Sequence, residues 1–329
     1  MTRPNRSLQS CGTDDVKILA YIAGFFDAEG CVRIQKRRYD KANHTLRCCI
    51  SQIDKIPLDF ISLYFGGGIH AKKGEIGGQK MWRWSCSTRF ASNFLKSIEP
   101  YLIVKKAEAL LAAEFQKSMI GRWGGRVVDR VTERELAVRE AQRILMQSLK
   151  NRKSTGIPPN NIGRAKRNSS NLMINIDEST LAYIAGFFDG DGTITLCQRN
   201  KKYASNYRLS CGINQIDKLP LEFVASYFGG NVRTKKAKVA TNMWAWSNSG
   251  KYSLAFLKAI LPYLITKKAQ AIVAISFQAR MNSKGNRRVD SHELAVREAE
   301  RILVHNLKSE LSTELPIIKV PDNIQGVLF

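Results

Sequence analysis

The sequence predicts an α+β fold built from two related copies of one αββαββα unit, each an antiparallel four-stranded sheet with helices on one face. Three observations predict it. First, the phrase LAYIAGFFDAEGCV at 19–32 returns as LAYIAGFFDGDGTI at 181–194, 162 residues on. The echo continues in order: SQID at 51–54 with NQID at 214–217, YFGG at 64–67 and 227–230, MWRWS at 81–85 with MWAWS at 243–247, PYLIVKKAEA at 100–109 with PYLITKKAQA at 262–271, and ELAVREAQRIL at 135–145 with ELAVREAERIL at 293–303, all at offsets of 158 to 163. That period is too long for a solenoid and fits duplication of a whole domain. Second, apolar spacing within each copy switches between helical and alternating. Third, the stretch between the copies, KNRKSTGIPPNNIGRAKRNSSNLMIN, is rich in Pro, Gly, Asn, Ser and positive charge, as linkers are. The expected layout is a tail at 1–13, a first repeat at 14–150, a basic linker at 151–176, a second repeat at 177–308 and a tail at 309–329.

Each element has a local reason. DDVKILAYIAGFFDA has helical spacing, with Asp14 or Asp15 placed to cap its N-terminus. CVRIQKRRY alternates apolar and polar, and with HTLRCCISQI makes a hairpin. IPLDFISLYFGG opens with Pro57 and ends at glycine, as helices do. GIHAKK and KMWRWSCS read as a second hairpin, and TRFASNFLKSIE and VKKAEALLAAEFQKSM as helices. TERELAVREAQRILMQSL reads as a last, charged amphipathic helix, with one edge packed and the other solvated.

The chain has 329 residues, 44% of them hydrophobic, so it can bury substantial cores. Its net charge is +24, from 52 Lys and Arg against 28 Asp and Glu. Such an excess points to a polyanionic partner, with nucleic acid first. The basic residues are spread along the whole chain and no apolar run approaches the ~20 residues of a membrane span, so no membrane partner is expected. The N-terminus lacks the apolar stretch of a secretory signal. Seven cysteines (Cys11, Cys31, Cys48, Cys49, Cys86, Cys197 and Cys211) make no CxxC and no zinc spacing. They are expected as core or surface residues in an intracellular, reducing compartment.

The repeated phrase carries the chemistry. Ala23 and Gly24, and Ala185 and Gly186, are small and adjacent, and would let the two helix copies pack closely about a pseudo-twofold axis. The helix ends then meet, bringing together Asp27 with Glu29 and Asp189 with Asp191. A helix C-terminus disfavours a carboxylate by about 0.3–1 kcal/mol, so this arrangement calls for positive charge. Divalent cations supply it, since Mg2+ takes carboxylate, water and phosphate oxygens. For Asp27 and Asp189 two readings stand, as members of this cluster or as turn and cap residues. Glu29 and Asp191, each followed at once by glycine and a strand, are the functional acids. Two metals can activate water and stabilise the leaving oxygen in phosphodiester hydrolysis. No Ser, Cys or His constellation repeats between the copies, and GGGIHAKKGE lacks the GK[ST] ending of a P-loop.

IAGFFDAEG and IAGFFDGDG resemble the two motifs of a double-motif LAGLIDADG homing endonuclease, and the resemblance spans about 14–150 and 177–308. It implies that the motif helices form the domain interface and that Glu29 and Asp191 bind the metals, helped by the backbone carbonyls of Ala28 and Gly190. It implies that Gln52 and Gln215 position water, and that Lys105 and Lys267, or their neighbours Lys106 and Lys268, stabilise charge at the scissile phosphate. It implies two or three Mg2+ ions shared between the repeats, with Mn2+ or Ca2+ able to substitute in crystals. The implied enzyme is a monomer cutting both strands of double-stranded DNA at a specific site, in an organelle (chloroplast or mitochondrion) or in a bacterial or archaeal cytoplasm. Glu29 stands where an aspartate is expected, and its extra methylene predicts that the two sites differ in metal affinity or strand preference.

Strand alternation assigns the reading face. In the first repeat it carries Arg33, Gln35, Arg37 and Tyr39, then Asn43, Thr45, Arg47, Cys49 and Ser51. In the second it carries Thr195, Cys197, Arg199 and Lys201, then Asn206, Arg208, Ser210 and Asn214. His70, Lys72, Arg83, Arg233 and Lys235 add to it from the second hairpins. Arg and Gln read base edges in the major groove, which admits a β-ribbon. Strands of about ten residues predict a target on the order of twenty base pairs. The two faces differ, so the target is expected not to be a palindrome. Trp82, Trp84, Trp244 and Trp246 are expected to pack beneath the helices rather than to stack on bases. An intron-encoded RNA maturase, with intron RNA as partner, is the alternative, because RNA would use the same basic surface. A non-catalytic DNA-binding regulator ranks last, because both acids, both glutamines and both lysines are present.

Overall fold

The computed structural model describes residues 13–36, 44–76, 79–119, 132–151, 176–198, 207–235, 243–284 and 291–307. The first repeat runs α1 (Thr13–Glu29), β1 (Gly30–Lys36), β2 (His44–Gln52), α2 (Ile56–Phe65), β3 (Gly68–Ile76), β4 (Gln79–Ser87), α3 (Thr88–Ile98), α4 (Lys106–Met119) and α5 (Glu133–Asn151). The second runs α6 (Glu178–Asp191), β5 (Gly192–Gln198), β6 (Tyr207–Gln215), α7 (Leu219–Phe228), β7 (Asn231–Lys235), β8 (Met243–Ser249), α8 (Lys251–Ile260), α9 (Lys268–Lys284) and α10 (Ser291–Asn306). Each makes one antiparallel four-stranded sheet, in the orders β1-β2-β4-β3 and β5-β6-β8-β7, so the expected αββαββα unit is observed twice. The linker expected at 151–176 and the tails expected at 1–13 and 309–329 lie outside the described residues, apart from Thr13, Asn151 and Ile176. Among the described residues no helix is long and apolar enough to cross a membrane.

The duplication is visible in the packing. Phe94 of α3 meets Phe26, Phe65 and Trp84 at ring-centre distances of 5.1, 5.0 and 4.9 Å. Phe256 of α8 meets Phe188, Phe228 and Trp246, each at 5.0 Å. Trp84 and Trp246 are buried, as expected, and each indole N–H also has a task. Trp84 Nε1 donates to the Gly66 carbonyl and Trp246 Nε1 to that of Gly229, both at 2.8 Å, where α2 and α7 end in left-handed glycines. A buried indole needs such a partner. Trp82 and Trp244 lie at the margin instead, with Lys80 4.5 Å from the first ring and Lys218 5.0 Å from the second.

Two expected boundaries are corrected. Asp14 and Asp15 fall inside the first turn of α1, which begins at Thr13, so they favour its dipole rather than cap it. Helix α4 starts at Lys106 and not at Val104, because the N–H groups of 103–105 are turned to Asp27. Helix α5 has a capping box: Glu135 N–H donates to Thr132 Oγ1, and Thr132 N–H to Glu135 Oε2.

Helices α1 and α6 pack on each other and join the two halves into one core. Ala23 and Ala185 are fully buried there. A methyl group on Gly24 would run into the Tyr183 carbonyl oxygen and lie 2.9 Å from the Phe187 nitrogen. One on Gly186 would meet the Tyr21 carbonyl and lie 2.9 Å from the Phe25 nitrogen. The neighbours are backbone and cannot rotate away, so only glycine fits. Gly24→Ala and Gly186→Ala should each destabilise the fold by about 3 kcal/mol, measured by urea unfolding, by prising the two helices apart.

Candidate active site and nucleic-acid face

The close approach of α1 and α6 brings their C-terminal ends together. Gly190 lies against Ala28, and a side chain there would come 3.2 Å from Glu29 Cγ. Glu29 and Asp191 are the last residues of α1 and α6, half-buried and close enough to act on one another electrostatically. The Gln52 amide nitrogen donates to Glu29 Oε1 at 3.4 Å, and that of Gln215 to Asp191 Oδ2 at 2.7 Å. In each glutamine the amide oxygen accepts the next residue's N–H, from Ile53 at 3.0 Å and Ile216 at 2.9 Å, so the NH2 must face the acid. The longer contact at Glu29 belongs to the longer side chain.

Asp27 and Asp189 divide from these acids. Both are fully buried. Asp27 accepts the backbone N–H groups of Ile103, Val104 and Lys105 at 2.7, 3.0 and 2.9 Å. Asp189 accepts those of Ile265, Thr266 and Lys267 at 2.7, 3.1 and 2.9 Å. Each also takes a phenol from the opposite repeat, Asp27 from Tyr183 at 2.8 Å and Asp189 from Tyr21 at 2.9 Å. A carboxylate this well served by donors is a structural clasp. Of the two readings open for these residues, the turn and cap reading holds. Nothing in the sequence marks Tyr21 or Tyr183 as the partners, because the contacts cross between repeats.

The clasp also sets the lysines. Lys105 Nζ donates to the Asp27 carbonyl and Lys267 Nζ to that of Asp189, satisfying helix-end oxygens beside the acids. Lys106 turns away to Glu99 at 3.3 Å, so the first half's ammonium beside the acids is that of Lys105.

Electrostatics record the crowding. Burial first, and then the Asp191 carboxylate, push Glu29 up to about 7, against the pull of Lys267, Lys105 and Gln52. Burial also raises Asp191 and lowers the Lys267 ammonium. Two acids that resist ionising side by side are suited to a divalent cation, which removes both penalties. The donors are oxygens, which suits a hard cation such as Mg2+. Among the described residues no group of three or more His, Cys, Asp or Glu surrounds the site, so water, the Ala28 and Gly190 carbonyls and a phosphate would complete the shell.

The open sheet faces flank these acids. Register places Arg33 opposite Arg47, Gln35 opposite Thr45, Ser51 opposite Arg83 and His70 opposite Arg83. In the second sheet Thr195 faces Ser210, Cys197 faces Arg208, and Asn214 and Arg233 both face Ala245. Cys49 sits on this face opposite Cys31 and Ser85, while Lys72 and Lys235 lie exposed along the outer strands. Arg83 Nε reaches Ser51 Oγ at 3.1 Å and an Arg47 nitrogen reaches Ser85 Oγ at 3.2 Å. Arg37, Tyr39, Asn43, Arg199, Lys201 and Asn206 lie outside the described residues. Ser85, Ser87, Thr193, Asn231, Ser247 and Ser249 share the faces and were legible from alternation carried into the later strands.

The raised Glu29 carboxyl makes stability depend on pH. The folded protein keeps this proton to about pH 7, while an ordinary glutamate loses it near 4.5, so the stabilising contribution is full below 4.5 and is lost as pH rises to 7. Glu29→Gln should therefore be more stable than the parent at pH 8, by on the order of 2 kcal/mol, and equal to it at pH 4, in thermal unfolding. Added Mg2+ should stabilise the parent at pH 8 and the variant less.

Comparison with known proteins places the chain. Residues 184–276 match the family model described as LAGLIDADG endonuclease. No curated protein matches the chain by sequence. Among solved structures, the I-SmaMI LAGLIDADG homing endonuclease bound to cleaved DNA is similar at a TM-score of 0.60 and 18% identity, covering 86% of this chain and 95% of that one. The LAGLIDADG meganuclease I-AabMI bound to uncleaved DNA is similar at 0.60 and 16%, covering 86% and 98%. I-SmaMI bound to an uncleaved DNA target in the presence of calcium ions gives 0.58 and 18%, covering 88% and 97%. At these identities the likeness concerns the fold. The LAGLIDADG endonuclease match lies in the second repeat, and the first repeat carries the same motif, strand order and aspartate clasp.

Proposed function

We propose that the protein is a metal-dependent, site-specific endonuclease that cuts both strands of double-stranded DNA as a monomer. The observation that carries this reading is the meeting of Glu29 and Asp191, one from each repeat, between two open sheet faces lined with Arg, Lys, Gln and Ser. The DNA in the I-SmaMI and I-AabMI structures and the calcium in one of them support it.

In this reading the two sheets form a saddle on the duplex. Arg33, Gln35, Arg47 and Arg83 meet one half-site, while Arg208, Asn214, Arg233 and Lys235 meet the other. Glu29 and Asp191, with the carbonyls of Ala28 and Gly190, hold divalent cations against the backbone. Bound there, Mg2+ would lower the pKa of a coordinated water and offset charge on the phosphate. Gln52 and Gln215, their amides already fixed, orient water beside the acids. Lys105 and Lys267 place positive charge next to each scissile phosphate, tethered at the helix ends by the aspartate clasps. Unlike residues on the two faces make the target asymmetric.

Selection from a randomised duplex library, with an RNA-binding control, tests the reading. A long asymmetric duplex site should emerge, and preferential binding to structured RNA would favour the maturase alternative. With Mg2+, the protein should linearise a supercoiled plasmid bearing that site. Glu29→Gln and Asp191→Asn should each lower double-strand cutting by at least about 100-fold and leave binding intact, measured by gel and by band shift. Binding should weaken by about 1000-fold or more between 50 and 200 mM salt. Normal cutting by both variants would overturn the catalytic assignment.

A further inference from the structure

Two pairs of cysteines face one another across the first sheet. Cys31 of β1 is the register partner of Cys49 in β2, and Cys48 of β2 is the partner of Cys86 in β4. Strand alternation sends the pairs to opposite faces. Cys48 and Cys86 are buried beneath the helices, whereas Cys31 and Cys49 are half-buried on the open face. Directly opposed residues of antiparallel strands hold their Cα atoms about 4.5–5.5 Å apart, within the roughly 4.4–6.8 Å that a disulfide spans. Arg33 Nε and Lys150 Nζ donate to the Cys31 sulfur at 3.1 and 3.2 Å and hold it in place.

The second sheet has no counterpart. The positions matching Cys31 and Cys49 are Thr193 and Gly212, and the exposed Cys197 faces Arg208. The arrangement belongs to the first repeat alone, and no site residue described above requires two thiols there.

We propose that Cys31 and Cys49 form a dithiol that peroxide closes reversibly into a cross-strand disulfide on the open face of the first sheet. One thiol reduces hydrogen peroxide, breaking the O–O bond to give a sulfenic acid and one water. The second thiol attacks that sulfur, forming the S–S bond and releasing the oxygen as a second water, so two thiols and one peroxide give one disulfide and two waters. Two thiol equivalents from a cellular reductant reopen it. Transient bridges of this kind are compatible with a reducing compartment. Under the proposed function a bound duplex would cover the pair, a consequence that rests on that reading.

The full-length protein, treated with equimolar hydrogen peroxide, alkylated and mapped by peptide mass spectrometry, tests the proposal. A Cys31–Cys49 peptide lighter by two hydrogens should form about tenfold faster than Cys197 is oxidised, because a resolving thiol is in place. A reductant should reverse it, and Cys48 and Cys86 should stay free. In Cys49→Ser a dimedone-trapped sulfenic acid should accumulate on Cys31. No bridged peptide, or oxidation of Cys197 or the Cys48–Cys86 pair at the same rate, would overturn the proposal. A duplex carrying the selected site should slow closure. Closure at an unchanged rate would leave the dithiol standing and count against the nucleic-acid face.

Discussion

The structure depends on one steric constraint, the backbone-to-backbone approach of α1 and α6 at Gly24 and Gly186. Nothing larger than hydrogen fits beside the Tyr183 and Tyr21 carbonyls, and everything functional lies downstream of that contact. Because the helices touch there, their C-terminal ends touch as well, so Glu29 and Asp191 meet although 162 residues separate them. The same approach lets Tyr21 and Tyr183 reach across to the aspartates of the opposite repeat. The interface therefore sets the geometry of the paired acids as well as holding the halves together.

A cost follows from this placement. Two carboxylates at two helix ends oppose both the helix dipoles and each other. The fold answers with Lys105 and Lys267, held against the same helix-end carbonyls, and with two glutamine amides. The answer is incomplete, since Glu29 still ionises only near neutrality. Incomplete compensation leaves the paired acids with a use for a cation, which a fully neutralised cluster would not have. Stability is given up where the two acids are held together.

Much of this was legible in the sequence. Repetition exposed the duplication, and alternation placed Arg33, Arg47, Ser51 and Arg208 on an open face before any coordinates. The acid-x-acid-Gly ending marked Glu29 and Asp191. The roles of Asp27 and Asp189 could not be read locally, because their partners lie 76 to 78 residues away along one repeat and across the axis in the other. For the same reason the helix starting at Lys106 looked longer than it is: its first expected turn is spent on the Asp27 clasp. The tryptophans split for a positional cause, with Trp84 and Trp246 deep in the sheet and Trp82 and Trp244 at its end, although alternation alone puts each pair on one side.

Anomalous diffraction from crystals grown with Mn2+ and a duplex bearing the selected target tests the central claim most directly. The account predicts Mn2+ peaks within bonding distance of both Glu29 and Asp191, between the ends of α1 and α6 and against the DNA backbone. Peaks confined to other carboxylates, or the two side chains pointing away from the duplex on opposite sides of the axis, would contradict it.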